Sequence, residues 1–526
     1  GVFNLVRADA FLYLAVAKRS SLTWYTFDGE TATNGFHPLW QLMLTALYQV
    51  TGGDTERLLV TGFLLSTLVT SIGVAFASVA IFRYTGSVLL SLLAVPGVYY
   101  LILGVGYDNW SIWSGVNGLE SGVSILSGGL ALLILAREVQ RPDFSLQAMY
   151  DPSFRGVAWR LGLVLPLLML SRLDDVFVIP SFFLVFLLTP GVPWRDRVRP
   201  AINVVAASTV VLVAYLAYNK AYAGVFMPVS GSVKGGFVLF RSLYVGLSGA
   251  FPFLIDIKES LTGRPSVPAD IQGNVFRLVQ IIGPALMCVI YIWSVVRSHA
   301  REPRYILPIG FAAGILVKLA YNLAYVHLWH QGSWYFALPV LMTTFFFSVL
   351  VGDAYAKLEP RSVARKALYI GYAVVLVFSM GRQILEWAYV GHNKSYDFWA
   401  DRATIQETLD RIDPEAKLLE LDDGIISFAI ESPSIHAFGF ASDAETVTAL
   451  RESRLLAHAY ERGYDIFASN GYVSIEPGMD GESIRTRLRQ SGAVQDELKS
   501  ELDSFDFELL WVHEPTHTGF IRFQPN

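Results

Sequence analysis

Ten long apolar runs constrain this chain more than any other feature. They lie at about 57–82, 87–104, 120–136, 159–171, 177–190, 200–218, 275–297, 305–327, 334–352 and 368–389. A helix needs about 20 apolar residues to cross roughly 30 Å of hydrocarbon. In lipid every backbone polar group must be paired internally, which leaves helices or closed barrels as spanning structures. Continuous runs of this length fit helices. The runs at 159–171 and 177–190 are short, so their ends are expected to lie beyond these marks. The chain is 53% hydrophobic and only 16% charged, against roughly 25% charged in an ordinary soluble domain. The expected class is mainly α, a polytopic transmembrane helix bundle of about 10–12 spans, followed by a small C-terminal α/β soluble domain.

The net charge is −5 and the basic residues sit in short loops, so nothing points to nucleic acid. The single cysteine, Cys288, lies inside an apolar run and excludes a disulfide within the chain. The sequence begins at Gly1 rather than methionine, and an anchoring helix is expected to precede it.

Arginine and lysine favour the cytoplasmic side of short loops. Basic clusters occupy 137–160, 193–199, 297–304 and 357–366, and alternating the ten spans places all four on one face. The opposite face then receives 1–56, 105–119, 172–176, 219–274, 328–333 and everything after about 390. The orientation expected is a prokaryotic inner membrane with the C-terminal domain outside. Residues 37–52 are apolar but too short to cross, and are expected to be a membrane-embedded half-element on the outer side. The division expected is a membrane domain over 1–395, with a first outer loop at 1–56 and a large one at 219–274, and a soluble domain over 396–526. In the latter, 418–430 and 464–473 look like strands, 444–462 and 482–501 have helical periodicity, and FELLWV and TGFIRF suggest a closing hairpin.

Unusual polar residues concentrate in the outer loops. If the bundle is compact these loops converge on one cavity. It would hold Asp9, Asp28, Asp108, Glu120, Asp174 and Asp175, the cations Arg7, Arg172 and Lys234, and the histidines His37 and His330, among many aromatic rings. Such a mixture suits sugar transfer from a lipid phosphate. A carboxylate can take the proton of an acceptor hydroxyl, and cations can receive the departing phosphate. Each residue also has a plainer reading. Arg7 could simply pair with Asp9, Glu120 could favour a helix dipole, and Arg172 with Asp174 and Asp175 could be an internal ion-pair network. His37 could orient a turn, and His330 could belong to an interfacial aromatic belt. Asp422-Asp423-Gly424 reads as a turn. No tight ligand spacing supports a metal site, and no cofactor is expected.

The order Asp-Ala-Phe-x-Tyr-Leu at 9–14, Phe-Asp-Gly followed by Thr-Asn-Gly-Phe-His-Pro-Leu-Trp within 27–40, Gly-Leu-Glu-Ser at 118–121 and Arg-x-Asp at 172–174 resembles the GT-C superfamily of membrane glycosyltransferases. Tyr218-Asn219, Gly224, Pro228-Val229-Ser230-Gly231 and Lys234 resemble that family's large outer loop, and Trp334-Tyr335 its late aromatic pair. The resemblance implies a polyprenyl-phosphate sugar as donor, membrane lipid around it, and a glycan, lipid or protein as acceptor. It implies an acidic motif in the first outer loop, often two adjacent carboxylates. Here the pair reads Ala8-Asp9, so only the second carboxylate is kept. Asp9 and Glu120 are the expected catalytic groups. The expected substrate-binding residues are Arg7, Asp28, Asn34, His37, Trp40, Asp108, Arg172, Asp174, Ser230, Lys234, His330, Trp334 and Tyr335. Two other readings stay open: an inactive membrane subunit of a larger complex with partner subunits, and a transporter.

Overall fold

The computed structural model describes the chain apart from residues 1–5, 7–8, 93, 95–117, 152, 154–155, 235–236, 241, 244–270, 301, 327–331, 360–361, 393–397, 422–423, 471–472, 474, 492–493 and 517. The expectations for Arg7, Ala8, Asp108, His330, Asp422 and Asp423 fall outside these described residues, as does the side chain of Lys234.

Among the described residues six helices are long and apolar enough to cross a membrane: Thr55–Thr85, Ser121–Val139, Trp194–Ala223, Gln280–Ser298, Pro303–Tyr325 and Trp334–Lys357. The helix Thr55–Thr85 shows how sequence sets its limits. Asp54 caps its start by accepting from the Arg57 amide, and Gly86 ends it in the left-handed region at φ +68°. Its faces sort by neighbour. Gly73 meets the facing helix Ser121–Val139 so closely that a Cβ on Gly129 would stand 2.3 Å from the Gly73 carbonyl oxygen. Small residues let membrane helices approach in this way. On outward faces Val210, Val377 and Phe378 are about 70% exposed, a surface suited to lipid rather than water.

The two short runs stay short. Helices Val157–Ser171 and Val178–Leu188 have 15 and 11 residues and are joined by a 3-10 turn, Leu173–Phe177. The first begins just before the mark at 159, while the second lies inside 177–190, which corrects the expectation that its ends lie further out. Within the joining turn Asp175 is fully buried and the other residues are half-buried, while Arg172, which leads into it, is 1% exposed. The apolar stretch after His37 forms a helix, Pro38–Val50, of 13 residues, about 20 Å at 1.5 Å per residue and too short to span.

The tail carries a five-stranded mixed sheet in the order β2-β1-β3-β5-β4, from Leu418–Glu420 (β1), Ser434–His436 (β2), Ile466–Asn470 (β3), Phe505–His513 (β4) and Thr518–Pro525 (β5). β1 runs parallel to β2 and β3, while β5 is antiparallel to β3 and β4. The closing hairpin is present. The strand expected over 418–430 ends at Glu420, and Ile425–Ala429 is helical after Gly424 at φ +91°. The helix expected over 444–462 is two helices, Ala444–Arg451 and Leu455–Glu461, separated at Ser453, whose φ is +54°. The helix expected over 482–501 is likewise two, Gly481–Gln490 and Asp496–Lys499.

The N-terminal segment before helix Thr55–Thr85 and the tail bury one common core. Phe11, Phe27 and Trp40 pack in the same apolar cluster as Ile405, Leu418, Phe428 and Phe520. Polar ties surround it. Arg19 donates to the Phe27 and Ser432 carbonyls and to Ser434 Oγ, and Arg462 bridges Asp28 at 2.8 Å and Asp443 at 2.9 Å.

Candidate active site

A cavity of about 70 Å³ opens where these segments meet. Its walls include Asp9, Tyr13, His37, Glu120, Arg172, Ser230, Trp334 and Tyr335, with Phe440 and Ala441 from the tail. Segments more than 400 residues apart therefore share one pocket, and seven of the residues expected at the site line it.

Asp9 precedes helix Ala10–Arg19, where an aspartate ordinarily accepts from an amide of the first turn. Here its side chain makes no such cap. Among the described residues none forms a hydrogen bond or ion pair with its carboxylate. Glu120 is the opposite case. It is 2% exposed and pairs with the Arg172 guanidinium, while His37 Nε2 lies 3.6 Å from its Oε1. The Leu173 amide donates to His37 Nδ1 at 3.3 Å. That bond leaves Nδ1 as the acceptor nitrogen and the ring proton on Nε2, facing Glu120. Burial, together with the nearby Glu120 carboxylate, raises the Tyr13 phenol well above its usual value.

Arg172 is held on every side. Its Nε donates to Asp174 Oδ1 at 3.1 Å, Nη1 reaches the Trp334 carbonyl at 3.2 Å, and the guanidinium lies 4.6 Å from the centre of the Tyr335 ring. Behind it, Lys318 Nζ contacts Asp174 Oδ2 at 3.1 Å and Asp175 Oδ1 at 2.5 Å, and Ser124 Oγ donates to Asp175 Oδ2 at 2.9 Å. Burial disfavours the Asp174 carboxylate, but Arg172 and Lys318 outweigh that and hold its pKa below the ordinary range.

Four expected substrate contacts stand behind the wall instead. Trp40 is fully buried and donates Nε1 to the Gly118 carbonyl at 2.9 Å. Asn34 bonds the Met227 carbonyl and the Val229 amide, which fixes the segment bearing Ser230. Asp28 accepts from Thr26, Thr31, two backbone amides and Arg462. Asp174 is bound by Arg172 and Lys318. These positions support the pocket rather than face it. Sequence reasoning missed Tyr13, Phe440, Ala441 and Lys318. Lys318 had a signal, since an ionisable residue within an apolar run marks a site by default. Among the described residues no group of three His, Cys, Asp or Glu side chains could hold a metal ion.

No family model and no curated protein matches the sequence. Solved structures do. Over 99% of this chain and 71% of the other, it superposes on the apo oligosaccharyltransferase of Archaeoglobus fulgidus with a TM-score of 0.50 at 11% identity. The archaeal oligosaccharyltransferase AglB from the same organism, in complex with an inhibitory peptide and a dolichol-phosphate, gives 0.49 at 11% identity over the same shares. At this identity the likeness concerns the fold alone. The chain shares the fold of that oligosaccharyltransferase, an apolar helix bundle carrying a small mixed-sheet tail.

Proposed function

We propose that this chain is a membrane glycosyltransferase that moves a sugar from a polyprenyl-phosphate donor to a glycan, lipid or protein acceptor on the outer face, with Asp9 as general base. One observation carries this reading. Of the two carboxylates lining the cavity, Glu120 is neutralised by Arg172, while Asp9 has no partner among the described residues. An unpaired carboxylate can accept a proton; one bound to a guanidinium is a poor base. Asp9 takes the proton of the acceptor hydroxyl as the bond from the anomeric carbon to the phosphate oxygen breaks. The leaving phosphate is received near Arg172 and Ser230, with Lys234 on the same short helix, Val229–Lys234. The cavity holds a few waters' volume, so it admits the reacting atoms while the rest of the donor lies in its mouth and the lipid tail beside the bundle.

The test is transfer of radiolabelled sugar from a polyprenyl-phosphate donor by the full chain in native membranes. Asp9→Asn should lower turnover by roughly 10²–10⁴-fold and leave the melting midpoint unchanged. Full activity in that variant would remove Asp9 from the reaction. No transfer by the native chain with any such donor would favour a non-catalytic membrane subunit.

A further inference from the structure

We propose that Lys318 is a positioning residue of this site, holding Asp174 and Asp175 so that Arg172 stays clamped to Glu120 and does not pair with the Asp9 carboxylate. The inference rests on the proposed glycosyltransferase reading for its consequence, though not for its geometry.

Lys318 lies near the middle of helix Ile309–Tyr325, is fully buried, and does not line the cavity. It reaches the site only through others. Its ammonium bridges two adjacent carboxylates in the turn Leu173–Phe177, which follows Arg172 directly. Asp174 in turn grips the Arg172 guanidinium, and the same guanidinium holds Glu120. One chain of contacts thus runs from a membrane helix to the cavity wall.

Stability is a weak explanation for this lysine. An ammonium within an apolar helix is costly to bury, and replacing a buried ion network with apolar side chains is often neutral or stabilising. What the arrangement provides is placement. Without Lys318, Asp174 would lose its anchor on helix Ile309–Tyr325, and the Arg172 guanidinium that it grips could shift off Glu120 toward Asp9 on the cavity wall. Groups that orient a working residue from behind matter for this reason.

The test uses the full chain in lipid nanodiscs and two variants. Lys318→Met with Asp175→Asn removes one charge of each sign, and Lys318→Gln removes the charge but keeps a donor of similar reach. Two readouts follow the site itself. One is modification of Arg172 by phenylglyoxal, located by peptide mass spectrometry. The other is affinity for polyprenyl phosphate, read by tryptophan fluorescence, since Trp334 lines the cavity. The charge-balanced pair should melt near the native midpoint, expose Arg172 to the reagent and bind polyprenyl phosphate several-fold more weakly. A folded variant with Arg172 protected and native affinity would overturn the proposal, as would failure of both variants to fold, which would assign Lys318 to stability. If the native chain does not bind polyprenyl phosphate, the glycosyltransferase reading falls and Arg172 reactivity alone decides the role of Lys318.

Discussion

Replacing Arg172 by methionine keeps an unbranched side chain of similar length and removes the guanidinium. In the cavity wall and directly behind it stand three carboxylates, Glu120, Asp174 and Asp175, and two cations, Arg172 and Lys318. With His37 neutral, that is a surplus of one negative charge, and the substitution raises it to two. The groups are dry: Arg172 and Glu120 are 1% and 2% exposed. Removing one member of a buried pair costs about 3–5 kcal/mol, because the other is left charged and unsolvated. Adding Glu120→Gln restores the surplus to one and removes the carboxylate most affected. The double variant should therefore regain about 2 kcal/mol or more, within the range of coupling between residues in one network. The assay is a double-mutant cycle on the full chain in detergent, with unfolding followed by tryptophan fluorescence against denaturant. Losses that simply add, with coupling below about 0.5 kcal/mol, would refute the view that Arg172 and Glu120 neutralise each other.

Orientation is tested with the chain's single cysteine as background: Cys288 is fully buried. Asp496, with a side chain 98% exposed, replaced by cysteine should react with a membrane-impermeant maleimide added to intact cells. Cysteine at Arg141, in the first basic cluster, should react only after permeabilisation; the reverse pattern would invert the membrane placement. The link between tail and N-terminal segment should be acid-sensitive. Burial opposes ionisation of Asp443, but the Thr446 amide and the Arg462 guanidinium outweigh it and hold its pKa below normal. A depressed carboxyl contributes stability above its unfolded value of about 3.9 and loses it as pH falls through the folded one. Amide protection around 26–33 should thus be constant from neutral pH to about pH 4 and decline below it, whereas Arg462→Ala should lower it at every pH.

Most of the bundle was legible because lipid leaves so few options. The marks at 57–82, 120–136 and 334–352 each sit inside or beside an observed helix. The tail was harder. After Glu420, glycine at 424 turns the chain into a helix that apolar residues alone do not distinguish from a strand, and the break at Ser453 carries no proline or glycine to announce it. At the site, motif position separated poorly into facing and supporting roles. Asp9 and Trp40 belong to the same stretch of sequence, yet one lines the cavity and the other is buried behind it. That distinction depends on which partner lies across the fold, such as Gly118 for Trp40, and on residues like Phe440 that arrive from the far end of the chain.

The common core of the N-terminal segment and the tail also governs how the protein can be made. Helix Ala10–Arg19 emerges from the ribosome early, yet Leu418, Phe428 and Phe520, which bury it, are synthesised after all the spans. Until then its apolar side is covered only by earlier residues such as Trp40, Leu44 and Leu119, and the wall formed by Phe440 and Ala441 does not exist. The cavity is therefore walled only once Phe440 and Ala441 have been made. A chain cut short before its last hundred residues could insert all its helices and still lack a finished site.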